Sequence, residues 1–269
     1  MKKNKRTYLI ETLCWVLGFA FLIGVWYLCS YLMYRVGNRL LPYPHEVLVT
    51  LAKVLFDPNY AATTYSAIGW TLARLLIGFT ISFLLGMILG TIGGLFKNFK
   101  RFMSPFVSFA KTMPTAAFVI ILLGVFLQFR GLSPYIPCFL VFMVAFPLIY
   151  EAFASGIENE APDVKDALKL DGGDKSLSAI TQVLWPDSES YINLSIAQSL
   201  GLSMKVSVMS EILTNSSTSQ GGIGWLIADS NLYASMKEIM AYSLIAVFMV
   251  AIIDIPLSVL KKEMKKKLQ

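Results

Sequence analysis

YEAFASGIENEAPDVKDALKLDGGDKSLSAITQVLWP, residues 150–186, is a long polar insert in a chain that is otherwise mostly apolar. It carries Glu158, Glu160, Asp163, Lys165, Asp166, Lys169, Asp171, Asp174 and Lys175. Residues 161–168 predict a short capped helix. Pro162 suits its first turn, where a missing N–H is no loss, and paired glycines suit its stop. Val164, Ala167, Leu168 and Leu170 give this helix an apolar face. Asp171-Gly172-Gly173-Asp174 breaks it, and a second helix follows up to Trp185-Pro186. A membrane-embedded chain that exposes an ordered, charged helix–turn–helix offers it to a soluble partner.

On either side of the insert the composition is that of a membrane protein. Hydrophobic residues make up 56% of the 269 and charged residues only 15%. Mean hydropathy is +0.62, and a soluble domain carries about 25% charged residues. The net charge of +6 does not point to nucleic acid, because the cations flank apolar runs. Lys2, Lys3, Lys5 and Arg6 precede the first run, and Lys261, Lys262, Lys265, Lys266 and Lys267 follow the last.

Six apolar runs are long enough to cross a bilayer, which takes about 20 residues of helix. They are 10–34, 66–95, 106–129, 134–152, 190–213 and 238–260. Backbone groups in lipid must bond internally, so each run is expected to be helical. The chain is therefore expected to be an all-α integral membrane protein with six transmembrane helices. The polar insert lies between the fourth and fifth. Arg130-Gly131-Leu132-Ser133 predicts a tight hairpin between the third and fourth. The first run lacks a small-residue cleavage site and reads as a retained anchor.

Six spans put both termini on one side, and charge fixes which side. Lys2, Lys3, Lys5, Arg6, Lys97, Lys100, Arg101, Lys165, Lys169, Lys175 and the five C-terminal lysines make 15 cations in the segments on that side. Arg35, Arg39, Lys53, Arg130 and Lys237 make 5 on the other. Cytoplasmic loops carry the excess of Lys and Arg, so both termini and the insert are expected in the cytoplasm of a multi-pass cell-membrane protein.

Several residues invite chemistry. Cys14, Cys29 and Cys138 lie in apolar runs with no CxxC or Cys/His spacing, which supports neither a disulfide framework nor a metal site. His45, the single histidine, reads as a loop residue. On 44–56 the apolar positions 47, 48, 51, 54 and 55 fall on one helix face. This predicts an amphipathic helix lying at the outer interface. Arg74, close to Trp70, reads as a cation that snorkels to the outer interface. Gly78, Gly86 and Gly90 recur at spacings that let helices approach closely.

Lys205 and Glu211 sit in the fifth run, where a charge is expensive and faces a cavity or a partner. Six residues apart, they share a helix face poorly, so each needs another partner. Lys205 reads equally as a passage-lining residue or as an intramembrane pair or snorkelling cation. Glu211 lies near the outer end, where it could stay hydrated. Met204, Met209, Ser203, Ser207 and Ser210 suit either packing or a narrow passage. Gly221-Gly222-Ile223-Gly224 reads as an outer-loop turn. Nothing matches G-x-x-x-x-G-K-[ST], so no nucleotide site is expected in this chain and its energy must come from another subunit.

Four stretches carry a family resemblance: Leu41-Pro42-Tyr43-Pro44-His45-Glu46-Val47; Thr71-Leu72-Ala73-Arg74-Leu75-Leu76-Ile77-Gly78-Phe79; Met113-Pro114; and residues 201–211 followed by Gly222-Ile223-Gly224-Trp225-Leu226-Ile227. In order and spacing they resemble the permease subunit of a type I binding-protein-dependent bacterial ABC importer, in its nitrate, sulfonate, taurine and pyrimidine-precursor branch. The insert resembles that family's EAA coupling loop, which docks on the cytoplasmic ATPase. Gly173 stands thirteen residues before Pro186, the family's spacing. With Gly172 aligned instead, Asp166-Ala167-Leu168 takes the place of Glu-Ala-Ala, so either Gly172 or Gly173 is the turn glycine.

The resemblance implies three segments: 1–63, an N-terminal span and outer amphipathic segment; 64–260, the importer transmembrane domain; and 261–269, a basic cytoplasmic tail. It implies ATPase coupling through Pro162, Asp163, Val164, Lys165, Asp166, Ala167, Leu168, Lys169, Leu170, Asp171, Gly172 and Gly173. The candidate translocation residues are Met204, Lys205, Val208, Glu211 and Pro114. The implied partners are a cytoplasmic ABC ATPase dimer that binds ATP, an extracytoplasmic binding protein, membrane lipid, and a second copy or a paralogue. No enzyme activity, chain-bound cofactor or nucleic acid is expected. An ion-driven secondary transporter would show internal repeats and mid-membrane acid pairs, and neither stands out. The energy-coupling membrane subunit of a vitamin importer would lack the outer Gly-Ile-Gly loop.

Overall fold

The computed structural model describes the backbone of residues 5–37, 40–126, 128, 133–170, 173, 175–214 and 220–267, with side chains between residues 13 and 253. Arg130, Gly131, Leu132, Asp171, Gly172 and Asp174 lie outside the described residues. Every element within them is helical: α1 (Lys5–Arg35), α2 (Pro44–Phe56), α3 (Pro58–Leu95), α4 (Lys97–Thr112), α5 (Thr115–Phe126) and α6 (Ile136–Glu158). There follow α7 (Pro162–Leu170), α8 (Leu177–Ala179), a π turn (Ile180–Leu184), α9 (Trp185–Asp187), α10 (Glu189–Thr214), α11 (Ile223–Leu232) and α12 (Met236–Lys267).

Four helices are long and apolar enough to cross a membrane among the described residues: Leu13–Arg35, Pro58–Leu95, Ile136–Glu158 and Met236–Ile253. The expectation of a single helix over 106–129 is not met. That run divides between α4 and α5, which are bent by 102°. The cause is local. Pro114 has no N–H to donate, and it forces Met113 into extended backbone, φ −69° and ψ 128°. α5 alone, 12 residues, is only about 18 Å long. The fifth run forms one helix, the 26-residue α10. Its Glu189, Lys205 and Glu211, with six serines, keep it less apolar than those four spans.

The centre of the molecule is the α3–α6 pair. In a bilayer, association gains from close packing rather than from expelling water, so small residues belong at the seam. The glycines of α3 are that seam. A Cβ on Gly78 would lie 2.8 Å from Val141 Cβ, one on Gly86 2.7 Å from Ile149 Cγ2, and one on Gly90 2.6 Å from the Tyr150 carbonyl. The expected role of Gly78, Gly86 and Gly90 in close packing is borne out. α10 packs along α6 and α12, and Ser195, Ser199, Ser203 and Ser207 recur on it as buried small side chains.

α2 forms where its periodicity places it, with His45 in its first turn and not in a loop. Most of its apolar side packs inward, while Leu48 stays exposed. Val47 and Val54 are buried, and Leu51 and Leu55 pack against the same core as Ala241 and Tyr242 of α12. Glu46 takes the Tyr43 N–H at 3.2 Å, closing the first turn. α1 stands at the periphery. Trp26 Nε1 and Ser30 Oγ both donate to the Pro42 carbonyl at 3.1 Å, and Tyr27 OH lies 3.1 Å from His45 Nδ1.

Candidate functional site

Glu211 of α10 is fully buried, and Arg74 of α3 is buried beside it. Arg74 Nη1 donates to Glu211 Oε1 at 2.9 Å, and Arg74 Nη2 donates to the Gln220 carbonyl. Thr71 Oγ1 donates to Glu211 Oε2 at 2.8 Å, and the Gly224 N–H reaches the same oxygen at 3.1 Å. Thr71 Oγ1 in turn accepts from the Ile223 N–H at 2.9 Å. The carboxylate thus takes three donors from two elements, which is what a buried charge requires. Gly222 passes directly over the carboxylate, with no room for a side chain. The turn expected at 221–224 therefore starts α11 as it ties α3, α10 and α11 together.

Two readings change here. Arg74 does not snorkel, and Glu211 is not hydrated, because each is the other's partner. The signal in the sequence was two lone opposite charges near the same end of two apolar helices. A separation of 137 residues hid the pairing.

The other candidate passage residues separate by face. Met204, Val208 and Glu211 recur at four and three residues and turn inward; Met204 is 0% exposed and Val208 7%. Lys205 is exposed on another side of α10, on a stripe with Gln198, Leu202 and the half-buried Met209. Pro114 stands exposed at the α4–α5 break. This open stripe carries an amide, Gln198, and a cation, Lys205, about two helical turns apart and facing away from this chain's core.

At the opposite end, α7 covers the expected segment and contains no buried residue. Val164, Lys165 and Leu168 are half-buried; Asp163, Asp166, Ala167, Lys169 and Leu170 are exposed, Leu170 to 90%. Lys165 Nζ donates to the Glu158 carbonyl, and Lys169 pairs with Asp166 at 2.9 Å. Gly173 N–H donates to the Leu168 carbonyl at 3.2 Å, so Gly173 closes the helix. Downstream the chain is anchored. Trp185 Nε1 donates to Thr91 Oγ1 at 3.0 Å, its ring meets Phe153 edge-on at 6.0 Å, and Ser188 packs on Gly156. No local pattern in the sequence signals this Trp185 anchor. Trp185 and Ser188 thus tie this part of the chain to α3 and α6.

Among the described residues no group of three His, Cys, Asp or Glu side chains could hold a metal ion.

Comparison with known proteins agrees with this architecture. Residues 82–268 match the family described as "Binding-protein-dependent transport system inner membrane component". A protein of Brucella melitensis biotype 1, named as an ABC transporter permease, is 25% identical over 227 residues, covering 83% of this chain and 84% of its own. The nitrate import permease protein of Leptolyngbya laminosa is 27% identical over 254 residues, covering 91% and 83%. A Bacillus subtilis (strain 168) permease protein named for aliphatic sulfonates transport is 22% identical over 225 residues, covering 82% and 75%. The chain therefore belongs to the binding-protein-dependent transport system inner membrane component family, the permeases of ABC transporters.

Proposed function

We propose that this chain is the permease subunit of an ATP-driven importer. It forms, with a second copy or a paralogue, the passage for a small solute delivered by an extracytoplasmic binding protein. Its six spans comprise α1, α3, the bent α4–α5 pair, α6, α10 and α12, within the segments 1–63, 64–260 and 261–269. Both termini and the 151–187 loop face the cytoplasm. The Lys205 stripe of α10 and Pro114 face the passage, while Met204, Val208 and Glu211 hold α10 in place behind it.

The single observation that carries this reading is α7. It is a formed helix with no buried residue, attached on both sides to chain that is fixed to the spans. A short helix exposing Ala167 and Leu170 beside charges is suited to a cleft on another protein. Residues 162–173 are the coupling element in this reading, and a rigid element moves as a unit when its partner closes. The names of two relatives, nitrate and aliphatic sulfonates, fit a small polar solute.

The test places one cysteine at Leu170 after Cys14, Cys29 and Cys138 are replaced. Leu170→Cys should be shielded from an impermeant thiol reagent in intact cells and open to it in inverted vesicles. It should also cross-link to the co-purified ATPase. Labelling in intact cells, or a missing cross-link in a preparation that still transports, overturns the reading.

A further inference from the structure

Where α3 and α6 end, two clefts adjoin and share Lys97 and Glu158. The first, of about 460 Å³, lies along α4 and is lined by Lys97, Lys100, Arg101, Ser104 and Ser108. The second, of about 390 Å³, lies behind α7 and is lined by Lys97, Lys165, Lys169 and Lys175. Together the two linings hold six cations, Lys97, Lys100, Arg101, Lys165, Lys169 and Lys175, against two carboxylates, Glu151 and Glu158. Those carboxylates are already engaged: Glu151 with Lys111 at 2.7 Å, and Glu158 with Lys100. Lys100 is matched by Glu158 and Lys169 by Asp166, which leaves the excess of positive charge on Lys97, Arg101, Lys165 and Lys175.

Three further features say what would neutralise it. The clefts lie level with Leu95 and Glu158, the last residues of two membrane helices. Phe102, Phe106 and Phe109 of the strongly amphipathic α4 are exposed at 76%, 40% and 56%, and Phe96 at 45% carries the Lys175 ammonium 4.6 Å from its ring centroid. Aromatic rings at a helix end, beside lysines that reach past them, are the arrangement of a lipid interface. Tyr150 lines the first cleft, is 2% exposed, and its hydroxyl has no hydrogen-bond partner.

We propose that these clefts bind the phosphodiester headgroup of an anionic phospholipid, so that α7 rests on lipid phosphate held between it and α4. Basic pockets between helix ends at a membrane boundary recognise such headgroups by charge and by donor hydroxyls. The lysines and Arg101 supply the charge, and Ser104, Ser108 and Tyr150 supply hydroxyls. The acyl chains lie along the exposed phenylalanines of α4. Only the choice of leaflet rests on the cytoplasmic placement proposed above. Lipid binding is read directly, so its failure would leave the transport reading standing.

The experiment is native mass spectrometry of the full chain in neutral detergent, titrated with phosphatidylglycerol, with phosphatidylcholine and with inorganic phosphate. The parent should retain phosphatidylglycerol and shed phosphatidylcholine. The triple variant Lys97→Gln, Arg101→Gln, Lys175→Gln should hold phosphatidylglycerol at least about tenfold more weakly. The charge-conserving pair Lys97→Arg, Lys175→Arg should bind like the parent, and thermal melts should show all three folded. Equal retention of the two lipids, an unaffected triple variant, or displacement of phosphatidylglycerol by millimolar inorganic phosphate, which would mark a free-anion site, each overturns the proposal.

Discussion

Arg74 and Glu211 face each other at 2.9 Å, 137 residues apart in sequence and both buried. The pair locks the start of α11 to α3 and α10, because Gln220, Ile223 and Gly224 all bond to it or to Thr71 beside it. Breaking a buried pair strands a charge, whereas replacing both partners does not. Glu211→Ala should therefore lower stability by about 3–5 kcal/mol, and Arg74→Met with Glu211→Leu should recover most of it. A double-mutant cycle from thermal melts in detergent reads this. Additive losses would show that the two residues do not act as a pair.

The α3–α6 seam should reject side chains at its glycines. A Cβ at residue 86 would meet Ile149 Cγ2 at 2.7 Å and the Tyr150 nitrogen at 3.2 Å. Gly86→Val should cost about 1–3 kcal/mol by overpacking. Gly124→Ala, with nothing within 4 Å of its new Cβ, should be neutral. Melting temperatures of the two variants against the parent decide it.

At Gly173 the N–H holds the Leu168 carbonyl at 3.2 Å. Gly173→Pro removes that donor and fixes φ, so the end of α7 should come apart while the spans insert normally. ATPase co-purification and ATP-dependent uptake should both be lost, with membrane yield retained. Normal uptake would dismiss the turn from coupling.

Lys205 lies on the exposed stripe of α10, away from Met204 and Glu211. Lys205→Met should leave assembly with the ATPase intact, since α7 is untouched, and change solute uptake. Reconstituted vesicles give uptake and basal ATP hydrolysis side by side. Parent-like values for both would confine Lys205 to packing or snorkelling.

The Lys237 ammonium, 2.8 Å from Glu46, holds that carboxyl below its ordinary value, with the Tyr43 N–H assisting. The contribution to stability is thus complete above the ordinary carboxyl range and is lost as pH falls through the depressed value. Both side chains are partly exposed, Glu46 to 32% and Lys237 to 53%, so the pair is worth at most about 1 kcal/mol. Acid melts between pH 6 and pH 3, roughly spanning a carboxyl titration, should fall slightly more steeply for the parent than for Lys237→Gln. Parallel curves would show that the contact is idle.

The sequence by itself determined that the chain is helical and membrane-embedded. Runs of apolar residues leave the backbone no partner but itself. It also placed α2 and α7 and the packing glycines, because helix periodicity, proline at a first turn and small-residue spacing are local signals. Only the tertiary structure decided what depends on residues far apart. It paired Arg74 with Glu211, turned the apolar side of α2 onto α12, pinned Trp185 to Thr91 and divided α10 into a buried Met204 face and an open Lys205 face. It also decided that the third apolar run divides at Met113-Pro114 into two helices bent by 102°. A hydropathy run records how apolar a segment is and nothing of its direction. Direction follows from one missing N–H, and partnership from which charges and small faces the fold brings within contact of one another.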